Sequence, residues 1–351
     1  MRATFIGEIR RITRNGSYLA TLTVLPVVAL LFFALYFQNV NIHSLPIVVV
    51  DNDNSKSSRA LVEMINATQS AIVDYQVVDY NHSLQLIQSG NAYAAVVIPE
   101  GFERNILRQS GATISLYNSG ANISTNGFIA KDIQTIIATF NAAIELQSGV
   151  KMSEIMPIRV DRHLLFNPEL NYASYLAPCF MPMMVMIFTL LGTVWAVAER
   201  KTTSIATLIG RCMPTTLAMI LFAMVMLLLL FRALNIPLRG SSWMIVAATI
   251  VLIADYQAIA ILFTAIFRSR HIALSIGGGY CVLAFTFSGL TFPTMAMTPL
   301  LQAVSHIFPF TYYMQIMVDQ ALRGAPIAIS AAELGRMAIF LLLPILTLRR
   351  L

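Results

Sequence analysis

The stretch SYLATLTVLPVVALLFFALYF, residues 17–37, decides how this chain must be read. It carries no charged side chain, and the charge-free window around it runs from Asn15 to Val50. A helix needs about 20 apolar residues to cross roughly 30 Å of hydrocarbon, so the stretch predicts a membrane span. Arg2, Arg10, Arg11 and Arg14 precede it. A basic start before an apolar run also opens a signal peptide, but this run exceeds the ~7–15 residues of a signal core and no A-x-A-like site follows. It reads as an uncleaved anchor with its N-terminus in the cytoplasm.

The pattern repeats downstream. Further windows free of Asp, Glu, Lys and Arg run from Asn171 to Ala198, from Cys212 to Phe231 and from His271 to Val318. Over the 351 residues 57% are hydrophobic and 11% charged, against roughly a quarter charged in soluble domains. The spans predicted after the first are Ser174–Val197, Met213–Phe231, Trp243–Phe267, Ile272–Leu290 and Ile329–Leu348. Residues 291–325 are apolar but hold Pro293, Pro299 and Pro309, which break helices. They read as a broken re-entrant segment that dips into the outer leaflet and returns, packed against protein. Glu333 and Arg336 sit at the start of the sixth span, spaced i,i+3 so that they can pair.

The net charge of +6 does not indicate nucleic acid, because the basic residues flank spans instead of forming one patch. Lys and Arg at 2, 10, 11, 14, 200, 201, 211, 268, 270, 349 and 350 fall on predicted cytoplasmic segments, against 232, 239, 323 and 336 on short outer ones. That excess places both termini in the cytoplasm. Residues 1–14 place Phe5, Ile9 and Ile12 on one helical face, with Ile6 beside them. They read either as a helix lying in the membrane interface or as an extension of the first span.

Residues 38–170 have another texture. Strand-like runs at 47–50, 73–78, 93–98 and 114–117 alternate with helical stretches at 55–70, 82–89, 99–107 and 122–147. The Asp53/Asn54/Ser55 cluster reads as a helix cap, and Pro99 as a first-turn proline. Alternating strands and helices imply an α/β domain. With the chain starting inside, that domain lies outside. The expected architecture is an α-helical polytopic membrane protein of six transmembrane helices with an inserted extracytoplasmic α/β domain. Its parts are residues 1–37, 38–170 and 171–351.

Catalytic signatures are missing. No G-x-x-x-x-G-K-[ST] phosphate loop occurs, so any ATP must be bound by a separate subunit. No H-E-x-x-H or G-x-S-x-G motif occurs either, and neither a metal nor another cofactor is expected. Cys179, Cys212 and Cys281 lie in or beside apolar windows and read as buried spectator thiols. The N-x-S/T triplets at Asn66, Asn81 and Asn122 matter only in a eukaryotic secretory setting. Asp255, with Gln257 close by, falls near the middle of span four. An ionisable group at that depth marks a pathway or a buried contact; equally, it can be a hydrogen-bonded link between helices.

Several stretches carry a resemblance. They are Ile47-Val48-Val49-Val50-Asp51-Asn52-Asp53, Ala94-Ala95-Val96-Val97-Ile98-Pro99-Glu100-Gly101-Phe102-Glu103 and Phe166-Asn167-Pro168-Glu169-Leu170. Further on come Ser288-Gly289-Leu290-Thr291-Phe292-Pro293, then Phe308-Pro309-Phe310-Thr311-Tyr312-Tyr313 leading to Asp319-Gln320-Ala321-Leu322-Arg323-Gly324. In order and spacing the chain resembles the permeases of ABC-2 type exporters with a large extracytoplasmic domain between the first two spans. The resemblance implies a bacterial inner-membrane efflux permease that pairs with a second permease subunit, identical or paralogous. It also implies two docked ABC ATPase subunits, contact with membrane lipids and, optionally, a periplasmic adaptor. It puts the ATPase-coupling loop at Glu199–Arg211, with Glu199, Arg200, Lys201, Ile205, Leu208, Ile209 and Arg211 as its site residues. The family's glycine-threonine pair after the glutamate is absent, since Glu199 is followed by Arg200-Lys201-Thr202-Thr203-Ser204. An apolar Ile205/Leu208/Ile209 face between charges suits insertion into a partner's groove; a solvated turn joining two spans is the plainer reading. A receptor or secretion anchor using the outer domain as a binding module is the competing function.

Overall fold

The computed structural model describes residues 1–38, 45–68, 71–89, 91–108, 112–118, 123–148, 172–200, 204–290 and 294–346. Lys201, Pro293, Asn122, Arg349, Arg350 and the stretch 166–170 lie outside them. The chain divides into two compact units, Met1–Val40 with Leu165–Leu351, and Asn41–Leu164. In the first unit, helix α1 spans Arg2–Arg14 and ends at Asn15. The Asn15 side chain accepts from Tyr18 N–H at 3.1 Å and starts a new helix, α2, Gly16–Leu19. The N-terminal helix is therefore separate from the first span. A π-helical turn, Ala20–Val24, and α3, Leu25–Gln38, complete that span.

The second unit alternates β1 (Leu45–Asp51), α4 (Lys56–Asn66), β2 (Ala71–Val77), α5 (Tyr80–Gln88), β3 (Ala94–Ile98), α6 (Phe102–Leu107), β4 (Ser115–Asn118) and α7 (Ile123–Ser148). The strand order is β2-β1-β3-β4, with β1 parallel to β2 and β3, and β4 antiparallel to β3. Strand β1 is buried on both faces, as its unbroken apolar run requires. Ile47 and Val49 pack with Leu61, Ile65 and Ile133, while Val48 packs with Ala92 and Ala95. In such sheets ligands enter the crevice at the carboxyl ends of the strands where the order reverses, here between β1 and β3. That crevice is bridged by two reciprocal caps. The Asp53 carboxylate accepts from Gly101 N–H at 2.7 Å and Glu103 N–H at 3.0 Å. The Glu103 carboxylate accepts from Ser57 N–H at 3.3 Å and from Ser57 Oγ at 2.9 Å. Two sequence expectations change accordingly. Ser55 caps α4 in a box with Ser58, which frees Asp53 to cap α6. Gly101, at φ +80, is the N-cap of α6, so Pro99 stays outside that helix.

The rest of the first unit holds α8 (Tyr172–Val197), α9 (Ile205–Leu228, continued by a π turn Leu229–Ala233), α10 (Ser242–Phe267) and α11 (Arg270–Thr286). After a 3-10 turn at Thr294–Ala296 come α12 (Pro299–Ser305), α13 (Pro309–Met317, continued by a π turn Val318–Arg323) and α14 (Ile327–Ala338, continued as a 3-10 helix Ile339–Leu346). Among the described residues, 5 helices are long and apolar enough to cross a membrane: Gly16–Phe37, Ala173–Val197, Ile205–Ala233, Ser242–Phe267 and Ile327–Ile345. The molecule is a polytopic helical membrane protein. Helix α11, expected to run to Leu290, has 17 residues and so is not among them. The third span is longer than expected. Ser204 accepts from Thr207 N–H at 3.2 Å and begins α9 at Ile205.

Between α11 and α14 the chain is broken into short helices, and Pro299 and Pro309 each sit in a first turn instead of interrupting one. A buried side chain satisfies the irregular backbone there. Gln320 Oε1 accepts from Ser241 N–H at 2.7 Å, and its Nε2 donates to Ala325 O at 3.1 Å and Ser330 Oγ at 2.8 Å. Gly324 has φ +66, a left-handed conformation that favours glycine, and a Cβ there would lie a tight 3.2 Å from Arg239 Cβ. Glu333 and Arg336 pair at 2.7 Å.

Burial works against ionisation of Asp53, but hydrogen bonds from Ser55 and from the Glu103 and Gly101 amides hold its carboxyl below the usual carboxylate range. A carboxyl depressed in the folded state stabilises above its unfolded pKa of about 3.9, and loses that contribution as pH falls through the folded value. Asp53→Ala removes the cap and should cost about 1 kcal/mol. Hydrogen exchange on the full chain should show faster exchange at the α6 amides in the variant, and in the parent chain only below pH ~4.

Candidate functional site

At the end of the first unit where α8 stops and α9 begins, several charged side chains converge. Glu8, 1% exposed, lies on the inward face of α1. Its Oε1 accepts from Arg11 Nη1 at 3.1 Å, and its Oε2 accepts from Arg200 Nη1. Arg11 Nη1 also donates to Trp195 O at 3.0 Å, and Arg200 Nη1 to Ala196 O at 3.3 Å. The node thus ties α1 to the last turn of α8. A second pair continues the chain of contacts. Glu199, in a left-handed conformation at φ +61, binds the Arg270 guanidinium and accepts from Arg270 N–H at 3.1 Å. That amide hydrogen bond leads in holding the Glu199 carboxyl below its ordinary range, against the opposing effect of burial. The Arg270 guanidinium lies 4.8 Å from the Trp195 ring centroid, and Trp195 stacks on Tyr18 at 5.8 Å. Helices α1, α2, α8 and α11 are joined through one indole ring and two carboxylates.

Helix α1 crosses α9 at Gly210, where a Cβ would meet Thr4 Oγ1 at 2.8 Å and Met1 O at 3.1 Å. This close approach shapes the segment expected to couple to an ATPase. Residues 205–211 are not a loop but the first two turns of α9. Leu208 faces inward at 6% exposure, and Arg211 is buried on the same side. Ile205 and Ile209 face outward, at 59% and 47%. The three differ in exposure, yet Ile205, Leu208 and Ile209 line one groove against α10 and the last span. On α1 the expected Phe5/Ile9/Ile12 face is split, because Glu8 and not Ile9 points inward, while Ile6 and Ile9 are exposed. Sequence reading missed Glu8, Trp195, Arg270 and Gly210. Glu8 had one available signal: it is the sole acidic residue before Asp51, set among four arginines.

Asp255 and Gln257 separate in space. Residues two positions apart on a helix differ by about 200°, and the two side chains face opposite sides of α10. Asp255 is 0% exposed, and neither carboxylate oxygen has a hydrogen-bond partner among the described residues. Gln257 instead bonds to α9: Oε1 accepts from Thr216 Oγ1 at 3.1 Å and Nε2 donates to Cys212 O at 3.4 Å. Pro309 opens α13, and its neighbour Phe308 packs on Tyr280 at 5.0 Å. Cys179, Cys212 and Cys281 are free and buried. Among the described residues no group of three or more His, Cys, Asp or Glu side chains could hold a metal ion.

Long apolar helices tied at one end by a buried ion-pair node define a polytopic membrane protein. The chain belongs to the ABC-2 family of transporter proteins, whose profile matches residues 17–348, and is an ABC transporter membrane subunit. It is 23% identical over 339 residues to the "Probable multidrug ABC transporter permease YbhS" of Escherichia coli K12, covering 92% of this chain and 89% of that one. The same values hold for the protein of that name from Escherichia coli O157:H7. No solved structure matches the chain.

Replacing one partner of a buried charged hydrogen bond costs about 2 kcal/mol. Glu8→Gln should therefore lower the melting temperature by several degrees, read by thermal unfolding in detergent, while Ile9→Gln on the exposed side should not. Asp255→Asn should leave or raise the melting temperature, since it removes an ionisable group from hydrocarbon without breaking a bond seen here. A fall of several degrees would show that the carboxyl has a partner.

Proposed function

We propose that this chain is the permease subunit of an ABC exporter that carries hydrophobic or amphipathic, drug-like or lipid-like compounds out of the cytoplasm or the membrane. The multidrug description of its relatives supports a drug-like cargo. ATP is hydrolysed on a separate ABC ATPase subunit, because the chain contains no phosphate loop. In this reading the protein sits in a bacterial inner membrane as a dimer, with α11 as the fifth of six crossings. Both termini are cytoplasmic, and the α/β unit faces the other side. Asp255 remains a candidate for a role along the transport path, and the broken segment around Pro293 and Pro309 is the re-entrant part near the outer leaflet.

The observation that carries the reading is the node around Glu8. A transport step needs ATP-driven movement at the cytoplasmic surface to reach the spans. The segment Glu199–Arg211 is anchored to α1 through Arg200–Glu8, and to α11 through Glu199–Arg270. Displacement of that segment is thereby passed to α1 and α11 together. Its exposed residues Ser204 and Ala206, beside Ile205 at the mouth of the α9/α10 groove, are the surface offered to the ATPase.

Co-expression of the permease with its ATPase subunit tests this. Ala206→Glu should reduce ATPase co-purification and substrate-stimulated turnover at least about fivefold, a loss of roughly 1 kcal/mol, with the permease's own melting temperature unchanged. Undiminished coupling in that variant would remove this segment from the docking surface. Failure of the parent chain to bind any ATPase would overturn the permease reading itself.

A further inference from the structure

Helices α9 and α10 and the 3-10 end of the last span enclose a groove of about 550 Å³. Its walls include Ile209 and Met213 of α9, Ala258 and Ile261 of α10, and Leu341 and Ile345. Volumes of this order hold small ligands. The groove lies on helices apolar enough to cross a membrane, so the molecules that reach it most readily are lipids. We infer that it is a binding site for one acyl chain of an anionic phospholipid of the cytoplasmic leaflet, with the headgroup held at Arg268.

Three observations select that occupant. The polar groups in the groove are used within the protein: Gln257 Nε2 donates to Thr216 Oγ1 at 3.0 Å and Oε1 accepts from Thr216 at 3.1 Å. The groove therefore offers apolar surface, which suits a hydrocarbon chain better than a hydrogen-bonding ligand. Its third wall holds Pro344 within a 3-10 stretch. Proline there removes a backbone donor and prevents the regular helix that would otherwise continue. Charge decides the headgroup. Arg268 follows Ile261 by seven residues and caps the C-terminal end of α10, about 10 Å further along the axis from the groove's Ile261. Arg268 is exposed, ends α10 in a left-handed conformation, and pairs with no carboxylate among the described residues. Basic residues at the cytoplasmic mouths of clefts between spans attract anionic headgroups. This assignment rests on the orientation proposed above, in which the Arg268 end faces the cytoplasm.

The test uses the purified full-length permease without its ATPase, so a negative result leaves the coupling experiment independent. Delipidated protein is titrated with dioleoylphosphatidylglycerol, with dioleoylphosphatidylcholine or with neutral monooleoylglycerol, and read by thermal shift and native mass spectrometry. Phosphatidylglycerol should raise the melting temperature by several degrees, with one tightly retained lipid per chain; the other two should not. Ala258→Trp, which fills the groove, should abolish the response. Arg268→Gln, on the surface and therefore safe for folding, should weaken it at least about fivefold. Equal responses to the three lipids, an unchanged response in Arg268→Gln, or no response in the parent chain would each overturn the proposal. So would loss of dimer in Ala258→Trp on size exclusion, which would assign the groove to a second copy of this chain.

Discussion

A charged side chain in hydrocarbon costs several kcal/mol, and much of the membrane unit follows from where its charges go. They are driven to the ends of the helices, and once there they pair with one another. Glu8 meets Arg11 and Arg200, Glu199 meets Arg270, Asp319 meets Arg323, and Glu333 meets Arg336. Two of these sets join elements far apart in sequence, and these determine how the bundle is tied. An isolated surface pair contributes little, but Glu8 is buried, and its loss leaves two guanidinium groups without their carboxylate, held only by backbone carbonyls. The same constraint makes Asp255 conspicuous, since it is the carboxylate inside the bundle that the described residues leave without a partner.

Backbone polarity imposes the second constraint. Irregular chain inside a membrane unit survives only where protein replaces water as the hydrogen-bond partner. Between α11 and α14 that task falls to Gln320, which bonds to Ser241, Ala325 and Ser330 and whose own carbonyl accepts from Gly240 N–H at 2.7 Å. This gives a physical reason for the Asp319–Gly324 stretch: the amide holds two loops together and Gly324 admits Arg239. In the α/β unit, Asp53 and Glu103 act in a comparable way by each capping the helix that follows the other's strand. They close the crevice that such sheets otherwise present to ligands. The unit's likeness to small-molecule-binding folds is thus one of architecture, and its switch point is occupied by its own side chains.

These features suit the coupling role proposed for this end of the bundle. The ion-pair node, the close crossing at Gly210 and the capped start of α9 make one rigid corner from α1, α8, α9 and α11. Lateral to that corner, the α9/α10 groove is lined by flexible aliphatic side chains and an irregular wall. In the function proposed, the tied corner would pass movement to the bundle, and the neighbouring groove would hold the proposed lipid.

The sequence by itself determined the membrane class, the split into an apolar bundle and an α/β unit, the order of strands and helices, and the broken segment before the last span. Each of these is written in local terms, through runs of hydrophobicity, periodicity and proline placement. It also allowed the family to be recognised from several spaced stretches. Only the tertiary structure decided what individual polar residues do. Asp53 caps a helix about fifty residues away, Glu8 reaches Arg200, Leu208 is buried while Ile205 and Ile209 are exposed, and Asp255 and Gln257 face opposite ways from the same turn. Charge pairing and burial depend on which surfaces meet in three dimensions. Neither is encoded in spacing along the chain, which is why the segment from Glu199 to Arg211 could be located from the sequence while its working parts could not.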